Sequence, residues 1–186
     1  MTIRHAIAAA SLAASFIPVP ASAQDATRFT AGVALHHART WDDESFLGSG
    51  PSIEARAGIS LTPKTQLELA VTRLPYDRFF ESGVATGGRS MFTALMLKHD
   101  FTRGSLRPFV MVGYGINDHN GFRIDPSAGR RDTASTDHGY VVGTGAVFHR
   151  GRWQVGPEVR VHMLAVESDA SAAMMLTAGI RAGIGF

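Results

Sequence analysis

The chain contains no cysteine. Disulfides and thiol chemistry are therefore excluded. A long apolar run is missing too. Beyond the N-terminus no stretch approaches the ~20 consecutive apolar residues that a transmembrane helix needs. Neither sign of charge dominates: 18 Lys and Arg stand against 16 Asp and Glu, a formal net charge of +2. That balance gives no reason to expect nucleic acid as a partner. Mean hydropathy is close to zero. A soluble domain has this value, and so does a transmembrane barrel, whose polar lumen residues dilute its apolar outer ones.

The N-terminus has its own pattern. Arg4 and His5 precede an apolar run over residues 6–17, Pro18 and Pro20 break it, and Ala21-Ser22-Ala23 follows. A basic segment, an apolar segment and a small-residue cleavage site make a secretory signal peptide. Residues 1–23 are expected to be removed, leaving a mature domain over 24–186 that starts at Gln24. Its 163 or so residues suit one ordinary domain.

Across that domain the apolar residues recur with period two, the signature of β-strands. The last stretch is the clearest. Leu176, Ala178, Ile180, Ala182, Ile184 and Phe186 fall on one face, and Met175, Thr177, Gly179, Arg181, Gly183 and Gly185 on the other. Earlier strands are expected over 28–37, 51–61, 65–72, 89–101, 107–116, 137–149 and 152–166. In the second, Ile53, Ala55, Ala57 and Ile59 oppose Ser52, Glu54, Arg56 and Gly58. In the seventh, Trp153, Val155, Pro157, Val159 and Val161 oppose Gln154, Gly156, Glu158, Arg160 and His162. Strand four offers the weakest alternation, and its register stays open.

The connections alternate in length. Residues 40–50, 74–88 and 117–136 read as long polar loops; Pro63-Lys64, 103–105 and Arg150-Gly151 read as tight turns. A short acidic loop near Ser168-Asp169 precedes the final strand. Short turns on one side and longer loops on the other are the habit of transmembrane barrels. On that reading Phe29, Phe101, Phe148, Trp153 and Phe186 all fall at the periplasmic ends of their strands, as one aromatic girdle. A two-residue hairpin at Arg150-Gly151 would place Phe148 directly opposite Trp153.

The signal peptide, Arg107-Pro108-Phe109-Val110 leading into a Gly-x-Gly strand, the Glu158-Val159-Arg160 strand and the terminal Phe186 together carry a resemblance. The chain resembles the small eight-stranded outer-membrane β-barrel proteins, the OmpA-like transmembrane domain and its relatives. The resemblance covers nearly all of the mature chain. It implies an all-β, eight-stranded antiparallel up-and-down transmembrane β-barrel in the bacterial outer membrane. It implies that Ile180, Ile184 and Phe186 act as an insertion signal for the barrel-assembly machinery. Outer-membrane lipid and lipopolysaccharide are the further expected partners, and a monomer is expected. The periplasmic peptidoglycan-binding domain of longer relatives has no counterpart here, so no wall-anchoring role through it is expected.

Chemistry is sparse. Gly113-Tyr114-Gly115, Gly143-Thr144-Gly145 and Gly183-Ile184-Gly185 do not open helices after strands, so they are not nucleotide loops. They are expected to leave room for large side chains in a narrow lumen. His162 is the best catalytic suspect, near Glu167, Ser168 and Asp169. Lipid A deacylase barrels carry a Ser two residues after their His, and here that position is Leu164. Asp42-Asp43-Glu44 could hold a hard cation, but a solvated loop is the better reading of it. No catalytic residue, metal site or cofactor is assigned. Inward positions carry Glu54, Glu68, Asp100 and Glu158 against Arg56, Lys98, Arg160 and Arg181. Balanced charges in a narrow barrel must pair, and a fold about Asp169-Ala170 would set Glu158 opposite Arg181. The expected role is non-enzymatic: envelope integrity, or surface contact through the loops. A small pore and a lipid A-modifying enzyme remain as alternatives.

Overall fold

A computed structural model describes residues 29–40, 48–75, 80–81, 84–125, 129–165 and 172–186. The expected signal peptide, Asp42-Asp43-Glu44 and the loop at Ser168-Asp169 lie outside the described residues. All regular structure among the described residues is strand: β1 (Phe29–Thr40), β2 (Gly50–Ser60), β3 (Thr65–Leu74), β4 (Phe80–Glu81), β5 (Val84–Asp100), β6 (Leu106–Asp125), β7 (Gly129–Arg150), β8 (Trp153–Ala165) and β9 (Ala172–Gly185). Apart from β3 and β4, neighbours in sequence pair antiparallel, β1 pairs with β9, and β3 pairs with β5. The sheet therefore closes on itself. The two-residue β4 pairs only with the start of β5. Without it, the fold is the eight-stranded antiparallel up-and-down barrel that the resemblance implies.

Closure removes the sheet edges within the barrel and sorts the alternating side chains into two environments. Outward residues are apolar and open: Val33, Leu35, Ile53, Leu95, Val112, Val142, Val155 and Ile180 are all exposed. A soluble protein rarely leaves so continuous an apolar band uncovered; lipid is the solvent that fits it. Inward residues fill the lumen, with apolar Met96, Phe109 and Met111 on the same level as the charged ones. Charged side chains lie nearer the end with the short turns, the turn end. Leu74, Phe92, Val141, Leu164 and Met175 lie nearer the other end, all buried, with Ala38, Ala70, Ala94 and Ala173 filling between them.

Four expectations are corrected. Residues 117–125 and 129–136 are strand rather than loop. β6 and β7 pair without interruption from Leu106↔Phe148 to Asp125↔Gly129. Their Asp, Asn, Gly and Ser content suggested a loop because those residues favour turns. Above the bilayer, however, a strand needs no apolar face, and backbone pairing carries it on as a hairpin. Residues 74–88 are likewise partly strand, since β4 and the start of β5 fall there.

The β7–β8 register also differs. Gly151, at φ 59°, is the first central residue of the turn rather than the second, and Arg150 pairs with Trp153. Phe148 therefore faces Val155, not Trp153. Both rings stay on the outer face because the slip is two residues, an even number. Similarly, Glu158 pairs with Gly179 and Arg181 with Gly156, not with each other. The β7–β8 ladder lapses between Gly145↔Glu158 and Phe148↔Val155, where Pro157 has no N–H to give. There the strands crowd: a Cβ on Gly156 would run into the Ala146 carbonyl oxygen.

Candidate functional site

Two places in the barrel concentrate polar chemistry, and the first is the lumen. β2, β3, β8 and β9 aim Glu54, Arg56, Glu68, Glu158, Arg160 and Arg181 into it, all buried. Glu158 is the hub. Arg56 donates to it through both terminal nitrogens, at 3.2 and 2.6 Å, and His36 Nε2 lies 2.7 Å from Oε1. Arg160 Nη2 donates to both its oxygens, at 3.0 and 3.1 Å. Arg160 also grips Glu54 with both terminal nitrogens. Thr72 donates to Glu54 Oε2 at 2.7 Å, and Arg56 Nη2 lies 2.8 Å from Oε1.

Arg181 donates to Glu68 at 2.7 Å. Its other terminal nitrogen is 3.6 Å from Glu158, so the expected partner is near but is not the one Arg181 grips. Lys98 and Asp100 form a separate pair at 2.8 Å beside Gln66, close to the turn end. The Phe109 ring lies under both Lys98 and Arg181, with centroid distances of 5.2 and 5.1 Å. The eight charges thus form one six-membered cluster and one pair. Such a cluster holds strands from opposite walls together, and it leaves each carboxylate at least one cation in place of water.

His36 and Thr72 occupy inward positions of β1 and β3; Thr72 meets Glu54 across the β2–β3 ladder, while His36 reaches Glu158 on β8, a strand not adjacent to its own. His162 is buried above the cluster. Its ring meets Phe92 edge-on at 5.3 Å and Thr177 Oγ1 at 3.3 Å. At the mouth beyond the apolar layer, Ser90 donates to Asn117 at 2.6 Å, and His119 Nδ1 lies 3.1 Å from Asp137 Oδ2.

Phe29, Phe101, Phe148, Trp153 and Phe186 all lie at the turn end. All but the half-buried Phe29 are exposed. Phe186 exchanges backbone hydrogen bonds with Phe29 at 2.9 and 3.4 Å, which closes the β1–β9 seam. The Arg152 guanidinium covers its ring at 5.2 Å. Ile180 faces outward, and Ile184 is half-buried on the same face.

The second place is the β6–β7 hairpin. It runs on past Ile116 and His138, where the outward residues become mixed: Asp118, Asn120, Asp132 and Arg130 stand beside Phe122, Ile124 and Ala134. Beyond Asn117, β6 extends for eight more residues, about 27 Å along the strand. At the upper part of the apolar band Tyr114 and Tyr140 pair across strands, ring centroids 5.2 Å apart, and His138 Nδ1 lies 2.9 Å from the Tyr114 hydroxyl.

A closed eight-stranded barrel with an apolar exterior and a filled, charged lumen is a membrane barrel. The chain belongs to the outer membrane protein β-barrel domain family, whose model matches residues 8–181. Its fold is similar to that of Neisserial surface protein A, at 15% identity and a TM-score of 0.63, over 85% of this chain and 97% of that one. It is similar to Ail, the attachment invasion locus protein of Yersinia pestis, at 12% identity and a TM-score of 0.55, over 86% and 99%. The N-terminal barrel domain of Pseudomonas aeruginosa OprF matches at 14% identity and a TM-score of 0.54, over 85% and 98%. No curated protein matches the chain in sequence.

Proposed function

We propose that this outer-membrane barrel is non-enzymatic and non-conducting, and that it works by surface contact through the β6–β7 hairpin on the extracellular side. The observation that carries this reading is the hairpin's free edge. β7 pairs with β8 only from His138 onward, so over residues 129–137 β7 pairs with β6 alone among the described strands. A strand edge nine residues long presents backbone N–H and C=O groups to an incoming extended segment. The names of Neisserial surface protein A and of Ail, the attachment invasion locus protein, describe surface roles for barrels of this fold, and they fit this reading. Residues 1–23 are the exported leader, the turn end is periplasmic, and the terminal strand through Phe186 is the handle for assembly.

Deleting residues 117–136 tests the reading. The shortened barrel should still insert and still migrate faster on gels when unheated. Cells displaying it should lose the surface adhesion that the full-length barrel confers. Adhesion that survives the deletion overturns the hairpin's role. The closed lumen has a separate test. Planar-bilayer recordings should show no steady conductance, because the charge cluster and the apolar layer above it fill an interior only wide enough for side chains. A sustained conductance in the wild type would move the reading to a small pore.

A further inference from the structure

The free edge uses only the backbone of the hairpin. Its outward face is built differently. Along β6 the even-numbered residues face out, through Tyr114 and Ile116 in the apolar band to Asn120 and Phe122 above it. On β7 the same face carries Tyr140, then Ala134, Asp132 and Arg130. This is the lipid-facing surface continued upward. With strands tilted about 40°, Asn120 stands roughly 10 Å above Ile116, at the level of lipid headgroups rather than of bulk solvent.

A recess of about 350 Å³ opens on this face, lined by Asn120, Gly121, Phe122, Arg130, Asp132 and Ala134. Its parts are held in place. The Phe122 ring lies against the backbone of β5 at Gly87, where a Cβ would come within 2.9 Å of the ring. Glycine there lets the ring lie on the sheet. The Arg130 guanidinium lies over the ring at 5.1 Å from its centroid, and its Nε donates to Asp132 at 2.8 Å. That bond orients the planar fork while its terminal nitrogens stay exposed; the side chain is 61% accessible. Arg89, exposed on β5, is the cross-strand neighbour of Asn120 and puts a second cation on the strand beside the recess.

An aromatic ring, an amide, a carboxylate and one guanidinium line the recess, with the Arg89 guanidinium on the adjacent strand, and together they match a specific ligand chemistry. The ring takes the apolar face of a sugar, Asn120 and Asp132 take hydroxyls, and the arginines take phosphate, which suits a planar fork. We propose that the outward face of the β6–β7 hairpin binds the phosphorylated sugar headgroup of an outer-leaflet glycolipid. The inference rests on the orientation proposed above, with the hairpin outside. It does not depend on the free edge, since it uses side chains of the other surface. A headgroup held there would brace the hairpin against the membrane and leave its edge presented.

The test uses the full barrel refolded in detergent micelles, with deep-rough lipopolysaccharide, its dephosphorylated form and phosphatidylglycerol as probes, and with affinity read by native mass spectrometry. Wild type should bind deep-rough lipopolysaccharide. The pair Arg89→Ala and Arg130→Ala should weaken that binding about tenfold or more, as expected when charge-assisted hydrogen bonds are lost. Dephosphorylation should weaken the wild type to a similar degree and the double variant little further. Phe122→Ala should weaken binding by removing the stacking platform, and Gly87→Ala should do so by displacing the ring. Both arginine side chains are exposed, so the double variant should fold, which gel mobility will verify. Unchanged affinity in the double variant overturns the proposal. So does phosphatidylglycerol binding as tightly as lipopolysaccharide with the same arginine dependence, because phosphate alone would then be read. Adhesion lost on blocking the β7 edge, with glycolipid binding intact, would separate the two surfaces.

Discussion

Among the described residues, arginine–carboxylate pairs occur in two regions of this molecule, and only one of them holds the fold. In the lumen, Arg160 bridges Glu54 and Glu158 with its side chain 1% accessible. On the hairpin, Arg130 bonds Asp132 with side chains 61% and 68% accessible. The functional groups are the same; the solvent is not. In the lumen, removing one partner leaves an opposite charge without water to replace it. On the hairpin, water and salt take over at once. The lumen pairs are therefore a structural commitment, and the hairpin pair is available to a ligand. Burial, not residue type, separates the two roles.

The sharpest way to break this contrast is Glu158→Ala, which strips His36, Arg56 and Arg160 of a shared acceptor. It should lower stability by about 3–5 kcal/mol, read from urea titrations of the barrel in lipid vesicles by gel mobility. A loss under about 1 kcal/mol would mean that water screens the lumen as it does a surface pair, and the contrast would fail. Leu164→Ala probes the apolar layer above the cluster. That layer should respond as an ordinary core, with a loss of about 2–5 kcal/mol in the same titration.

Gly156→Ala comes next. The added methyl group meets the Ala146 carbonyl oxygen where the β7–β8 ladder has lapsed. Overpacking should cost about 1–3 kcal/mol, and a fully neutral result would show that the two strands part freely there. A double-mutant cycle on Tyr114 and Tyr140 should return a coupling of roughly 0.2–1 kcal/mol for the cross-strand pair. Arg130→Ala should have the smallest effect on folding, below about 1 kcal/mol and vanishing at high salt. A larger, salt-independent loss would put the hairpin pair in the same class as the lumen cluster.

Which side chains face which environment was legible in the sequence. Period two is a local property of the backbone, so Glu54, Arg56, Glu158, Arg160 and Arg181 could be placed inward, and Ile53, Val155 and Ile180 outward, before any pairing was known. The same pattern, repeated eight times, gave the strand count, while the alternation of tight turns with longer connections and the family resemblance pointed to the barrel. Partners were not legible. Turn geometry sets register, and a glycine in the first rather than the second central position moves Phe148 from Trp153 to Val155 without changing either ring's face. The extent of the hairpin was hidden as well, because its polar composition is that of a loop and only the continued β6–β7 ladder makes it a strand pair.

The charge cluster needed the whole fold. Arg160 and Glu54 are separated by 106 residues and sit on strands that are not neighbours in the sheet. No hairpin register links them. They meet because eight tilted strands close into a barrel narrow enough for a guanidinium on one wall to reach a carboxylate on another. The sequence by itself thus determined the inside and the outside of this protein, through the alternation of a single strand. The tertiary structure alone decided which inside charge grips which, because that depends on the barrel's diameter, a property of all its strands together.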